Sequence, residues 1–213
     1  KLVLVPDGIS DEVASCITLK GITAEYLLHR AYPLKKGDKI LYHAAAGALG
    51  QILCPWANAL GAVVIGTVGS KAKEEIARKN GCHHVINYSE KDFVKELEKI
   101  VGKNSVDVVY DGVGTKTFKG SIETLKIRGM MVAFGNASGY VDTLDIKKDI
   151  NAKGLFFTRP SIAHYTVKRE ELVEAKKKVF DAILTKKFTV KISKKYSLED
   201  AAQAHKDLEA RLL

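Results

Sequence analysis

The sequence predicts an α/β chain built around a doubly wound, six-stranded parallel sheet, followed by the C-terminal part of a second, incomplete domain. Two observations carry this prediction. From residue 38 onward, short β-rich runs alternate with segments of helical period, the pattern of a parallel sheet covered by helices. The first of these runs leads straight into a glycine-containing turn, LYHAAAGALG, and then into a helical segment, as a doubly wound nucleotide-binding (Rossmann) sheet requires. Length and composition agree, since 213 residues with 46% hydrophobic and 28% charged residues can bury a substantial core.

Taken in order, KLVLV reads as a strand entering a turn. SDEVASCITLKGITAEYLLHRA reads as a helix with Ser10 as N-cap and two acidic residues in its first turn, broken in two at Gly21. Strands follow at 39–44, 62–68, 84–88, 106–112, 130–135 and 155–159. Helices lie between them at 48–60, 71–80, 91–101 and 115–126, with a weak one at 145–151. Beyond the sixth strand the βα rhythm stops. A lysine-rich helix at 168–186, a strand FTVKI at 188–192 and a helix at 197–212, opened by Ser197 with Asp200 at capping-box spacing, are assigned to the second domain. The expected division is 1–21 for the end of a catalytic segment and linking helix, 22–158 for the dinucleotide-binding domain, and 159–213 for the C-terminal catalytic portion.

The net charge of +9 suits a phosphate-bearing ligand or a nucleic acid. Much of it, however, is lysine spread over helix faces such as KAKEEIARK, which reads as a solvated surface. Cys16, Cys54 and Cys82 show no CxxC spacing, which argues against a disulfide framework or zinc knot and fits a reducing cytoplasm. No apolar run approaches the length of a membrane span. The start lacks the apolar core of a signal peptide and an initiator methionine, so the chain reads as a piece of a longer protein.

Ala45-Ala46-Gly47-Ala48-Leu49-Gly50 is the GxGxxG pattern with alanine at the first glycine. A side chain at Gly47 would hold the backbone away from a pyrophosphate at the helix N-terminus, and Gly50 lets the helix pack close to its strand. A tight structural turn would give the same residues. An NAD-selective site places Asp or Glu about 20 residues on, at the end of the second strand. Here IGTVGSKAK offers Gly66 and no carboxylate before Glu74, with Ser70, Lys71 and Lys73 nearby. Such a pocket suits a 2′-phosphate, so NADPH is preferred over NADH; the alternative is that both lysines line a solvent-facing helix.

HAAAGALGQ, GTVGSKAK, VINY, VVYDGVG and FGNASG, in this order and spacing, resemble the zinc-independent quinone oxidoreductases of the medium-chain dehydrogenase superfamily, which include ζ-crystallin. The resemblance covers nearly the whole chain and implies that a larger N-terminal part precedes Lys1 and a last strand follows Leu213. It implies a cofactor-contact set for NADPH. Ala48 and Leu49 lie against the pyrophosphate, and Lys73 and Tyr88 meet the adenosine 2′-phosphate region; Ala46, Gly47, Gly69, Ser70 and Lys71, from the same two turns, complete the expected cofactor-binding residues. Val113 sits near the ribose. Phe134, Gly135 and Asn136 border the nicotinamide half, with Thr23 and Tyr26 and with Pro160 and Ser161. Two positions depart from the family pattern: Ala48 replaces the usual second glycine of the turn, and Gly112 stands where serine is frequent.

The resemblance implies hydride or electron transfer from NADPH to a quinone or α,β-unsaturated carbonyl, in a homodimer paired through the edge strand LFFTR. No catalytic residue is assigned, because the hydrogen-bond donors for such an acceptor fall in the missing N-terminal part. No metal is expected: Cys16 occupies the place where zinc-dependent alcohol dehydrogenases of the superfamily keep one ligand, but one cysteine cannot hold a catalytic zinc. RNA binding, linked with ζ-crystallin-like proteins, is a rival without any aromatic RNA-reading motif in this sequence. A binding-only module is another. Several residues have readings independent of any ligand. His83 and His84 point to opposite faces of a strand, and Trp56 and Phe134 can be core. His43 can be a satisfied strand-end histidine, and Asp111 a turn residue or helix cap.

Overall fold

The computed structural model describes residues 2–210. Among them, six strands form one parallel sheet: β1 (Lys39–His43), β2 (Val63–Val68), β3 (His84–Asn87), β4 (Val106–Asp111), β5 (Leu125–Ala133) and β6 (Phe156–Thr158). Their spatial order is β3-β2-β1-β4-β5-β6. The order reverses between β1 and β4, which makes the crevice at their C-terminal ends the topological switch point. Every residue of the central strand β4 is buried, as a parallel strand covered on both faces must be. In contrast, β6 is an edge whose Phe156 and Phe157 remain partly in solvent.

Helices α2 (Gly50–Ala59), α3 (Lys71–Lys79), α4 (Phe93–Val101) and α5 (Phe118–Thr124) are the crossovers. One core, with Ile40, Val64, Val108 and Tyr110 on the sheet, packs against Leu53, Trp56 and Ala57 of α2. The other, with Leu41, Ile65, Val109 and Met131, packs against Leu97 of α4 and against Phe118 and Ile122 of α5. Alternate residues of β1, β2 and β4 thus feed opposite cores, the period-two consequence of the pleat. The weak helix expected at 145–151 is a π-helical turn, Ile146–Ile150, followed by a 3-10 turn. Its N-cap is Asp145, and Lys119 holds Asp149 at 2.7 Å.

Four expectations are corrected. The first helix is not broken at Gly21: α1 runs from Asp11 to Tyr26 without interruption and continues as a π-helical turn to Ala31. Glycine is there because a Cβ would lie 2.7 Å from Val179 Cγ1 on α6 (Arg169–Leu184), so the two helices approach to backbone distance. The stretch FTVKI pairs with no strand among the described residues, and Phe188 instead buries its ring against Trp56, centroids 5.4 Å apart. Residues 2–5 likewise form no strand, and Leu2 and Leu4 are exposed. The last helix, α7, starts only at Ala201. Asp200 takes the cap position, and the Ser197 hydroxyl donates to its carboxylate at 3.0 Å.

Candidate functional site

The turn after β1 is tight. Ala44 adopts φ 62°, a left-handed conformation that L-residues rarely take, and Gly47 N–H donates back to Ala44 O at 2.8 Å. A Cβ on Gly50 would lie 2.7 Å from the Ala45 carbonyl carbon, whereas one on Gly47 would meet Ala44 O at 3.1 Å. Internal packing therefore forbids a side chain at Gly50 more strictly than at Gly47. Ala48 is exposed and Ala46 and Leu49 are half-buried. The amides of Ala48 and Leu49 donate to no group among the described residues. They open α2 at the switch point, where free N–H groups and the helix dipole favour an anion.

Alanine at the first glycine position has a partner across the sheet. Ala45 is completely buried, and a Cβ on Gly66 would lie 2.6 Å from the Ala45 methyl and 2.8 Å from Cys82 Sγ. Gly66 thus sits in the middle of β2, not at its end, and no carboxylate could be accommodated there. The residues at the strand end are Gly69 and Ser70. Tyr88 covers Gly69, so that a Cβ there would touch its hydroxyl at 2.8 Å. Ser89 Oγ fixes the same loop by donating to Gly69 O at 2.9 Å. Ser70 precedes α3 without using its side chain as a cap, and Lys71 and Lys73 are exposed and form no ion pair among the described residues. Ser70, Lys71 and Lys73 follow the end of β2 directly, and the half-exposed Tyr88 lies over Gly69 beside them.

On the other side of the crevice, Asp111 ends β4 fully buried and organises the turn that holds Val113. Its Oδ1 accepts from Val113 N–H at 2.8 Å and Gly114 N–H at 3.0 Å. Its Oδ2 accepts from Thr117 Oγ1 at 2.7 Å and Ser121 Oγ at 3.1 Å. A carboxylate with four donors is a structural anchor, in agreement with the turn reading. His43 is also buried, with Nδ1 2.9 Å from Thr67 Oγ1 and Nε2 2.9 Å from Ser121 Oγ. Burial lowers its pKa, against a smaller opposing effect of Asp111. It is the satisfied strand-end histidine and lies edge-on to Phe93.

Phe134, Gly135 and Asn136 follow β5 and dock on the Asp111 turn. Ser138 N–H donates to Val113 O at 2.7 Å, and Ala137 N–H donates to Gly112 O at 3.2 Å. A Cβ on Gly112 would lie 2.8 Å from Phe134 Cζ, which explains the glycine at this position: the ring rests on it and stacks on Tyr42. Pro160 and Ser161 come after β6. Tyr165, just beyond, stacks on Tyr26 with centroids 4.6 Å apart. Arg30 clamps the pair, pairing with buried Glu25 at 2.7 Å and donating to Tyr165 O at 2.8 Å. Burial raises the Tyr26 hydroxyl to about 12. Thr23 is half-buried, its hydroxyl spent on Leu19 O at 2.8 Å.

The strand ends therefore collect the turn residues, the lysine rim, Val113 and the Phe134 loop along one edge of the sheet. Thr23 and Tyr26 reach the Pro160 segment through the Tyr26–Tyr165 stack. The hydroxyls of Thr67, Thr117 and Ser121 and the Glu25–Arg30–Tyr165 clamp had no sequence signal, since they are joined only by topology. Trp56 is core, and His83 uses its ring to accept Val64 N–H at 3.0 Å at the sheet margin.

This arrangement defines the doubly wound α/β class whose ligands sit at the carboxyl ends of the strands. A model of the zinc-binding dehydrogenase family matches residues 48–183, and the chain belongs to that family, within the medium-chain dehydrogenase superfamily. It is 45% identical over 99% of its length to a 2-haloacrylate reductase from Burkholderia sp, covering 64% of that protein. It is equally similar, at 45%, to quinone oxidoreductase 1 from Escherichia coli K12, covering 65%. The crystal structure of E. coli quinone oxidoreductase complexed with NADPH superposes with a TM-score of 0.92 over 99% of this chain and 65% of that one. The chain thus spans about two thirds of the length of these relatives. The family name implies zinc, but Cys16 is exposed and no group of three or more His, Cys, Asp or Glu among the described residues could hold a metal ion. These residues do not fit a zinc site.

Proposed function

We propose that the chain is the NADPH-binding part of a quinone oxidoreductase that reduces a quinone or an α,β-unsaturated carbonyl without zinc. One observation carries the reading. The unpartnered amides of Ala48 and Leu49 face the switch point, and the neighbouring strand end offers Ser70, Lys71 and Lys73 instead of an acid. The first pair suits a pyrophosphate and the second a 2′-phosphate. NADPH, when bound, supplies the hydride. The protein's share is placement. Ala46 to Leu49 hold the pyrophosphate, Gly69 to Lys73 with Tyr88 the adenosine end, and Val113 the ribose. Phe134 to Asn136, with Thr23, Tyr26, Pro160 and Ser161, wall the nicotinamide end against water.

A quinone and a 2-haloacrylate both present an electron-poor double bond conjugated to a carbonyl, so relatives with either name agree with one type of acceptor. The motif set quoted above supports the zinc-free branch. Exposed Phe156 and Phe157 on β6 support a homodimer paired edge to edge. No helix among the described residues is long and apolar enough to cross a membrane, and three unpaired thiols suit the cytoplasm. Residues 22–158 are the cofactor domain in this reading, with 1–21 and 159–213 as catalytic-domain segments packed on it. Fluorescence titration with NADPH and NADH tests the assignment: NADPH binds more tightly, and failure of both at millimolar concentration rejects it.

A further inference from the structure

The buried polar chain Thr67–His43–Ser121–Asp111 crosses the sheet from β2 to β4 directly beneath the switch point, and nothing in the proposed reaction uses it. With the ring neutral, as burial favours, its hydrogen bonds admit two arrangements. If His43 carries its proton on Nε2, it donates to Ser121 Oγ, and Thr67 donates to Nδ1. The Ser121 proton is then free for Asp111 Oδ2 at 3.1 Å. If the proton sits on Nδ1, Ser121 must donate to His43, and the buried carboxylate loses its fourth donor. Ser121 has a competing acceptor in Thr117 O at 2.9 Å. The preference for a charged acceptor decides for Asp111, because an under-satisfied buried carboxylate is expensive.

We propose that His43 is a positioning residue: held as the Nε2–H tautomer between Thr67 and Ser121, it directs the Ser121 hydroxyl onto Asp111 and so fixes the Val113 turn. This rests on the NADPH reading above, in which that turn meets the ribose. The Phe134 loop hangs on the same turn through Ser138 N–H to Val113 O and Lys116 N–H to Ser138 Oγ, 2.7 and 3.1 Å. A loosened Asp111 turn would therefore disturb the nicotinamide riboside half and leave the adenosine half, built on β2 and α3, in place.

The test uses two near-isosteric variants, Ser121→Ala and Thr67→Val, and two ligands: NADPH, and 2′,5′-ADP, which carries the 2′-phosphate but no nicotinamide. Ser121→Ala is expected to weaken NADPH about three- to tenfold, the equivalent of one hydrogen bond, and to leave 2′,5′-ADP unchanged. Thr67→Val shifts the same way by less, and stands alone if Ser121→Ala does not fold. In the unsubstituted protein, the 15N shifts of His43 should show an Nε2-protonated ring. Unchanged NADPH affinity, equal losses for both ligands, or an Nδ1-protonated ring would each overturn the assignment. A wild-type chain that binds neither ligand fails earlier and rejects the cofactor reading itself.

Discussion

The turns after β1 and β4 end neighbouring strands, yet they treat their backbone amides in opposite ways. The first leaves Ala48 and Leu49 without partners and contains no titratable side chain. The second commits Val113 and Gly114 to Asp111 and ties that carboxylate to two hydroxyls and, through one of them, to a histidine. The difference separates a surface that offers donors from one that offers shape. The first suits an anion, whereas the second, its own donors satisfied, suits a wall.

The contrast can be broken at several points. The largest effect is expected for Gly50→Ala, whose methyl would drive into Ala45 carbonyl and cost about 3 kcal/mol of stability; urea unfolding measures it. Gly47→Ala should fold with little loss and instead lose NADPH, and equal stability losses for the two would erase the distinction between packing glycine and ligand glycine. Next, Asp111→Ala strands the amides of Val113 and Gly114 in the second turn, while Thr117 and Ser121 keep Gly114 O and Thr117 O as acceptors, a destabilisation of about 2 kcal/mol seen in the thermal midpoint. Lys73→Ala should weaken NADPH about tenfold and NADH hardly at all. Equal losses would show that the lysine does not see a 2′-phosphate.

The smallest effect is acid sensitivity, which of the two turns only the second should show. Burial lowers the pKa of His43, so below its unfolded value near 6.5 the unfolded chain binds a proton that the folded chain refuses. Stability must therefore fall as pH drops below about 6.5. His43→Gln should make that part of the pH–stability curve shallower, the remainder belonging to His29, whose pKa burial lowers to about 4; denaturant midpoints measure it. An unaltered slope would mean that His43 does not contribute.

The parallel sheet was readable because its strands alternate with helical segments and its first turn carries glycine. Boundaries shifted only by a few residues there. The failures lie where a β-rich run has no partner: FTVKI and KLVLV look like strands by composition, but a strand is defined by its neighbour, and none is present among the described residues. Gly21 misled for a related reason, since it serves contact with Val179, 158 positions away in sequence, and not the local backbone. In the proposed site, motif residues such as Gly47, Lys73 and Asn136 stand out in the sequence because they lie in contiguous stretches. His43 and Asp111 were visible one at a time; that Ser121 joins them follows only from the packing of α5.

Ala45 and Gly66 have a consequence for redesign. The two positions share room for a single methyl group, held on β1's side while Cys82 closes the other. A mutant that restores glycine at 45 would vacate that room but could not be filled from 66 unless Cys82 were also trimmed, for instance to alanine. On the NADPH reading proposed above, cofactor preference consequently cannot be reversed by grafting an acid at 66. It has to be installed beyond the end of β2, around Ser70, where the lysines would become the new acid's counter-ions unless they are replaced with it.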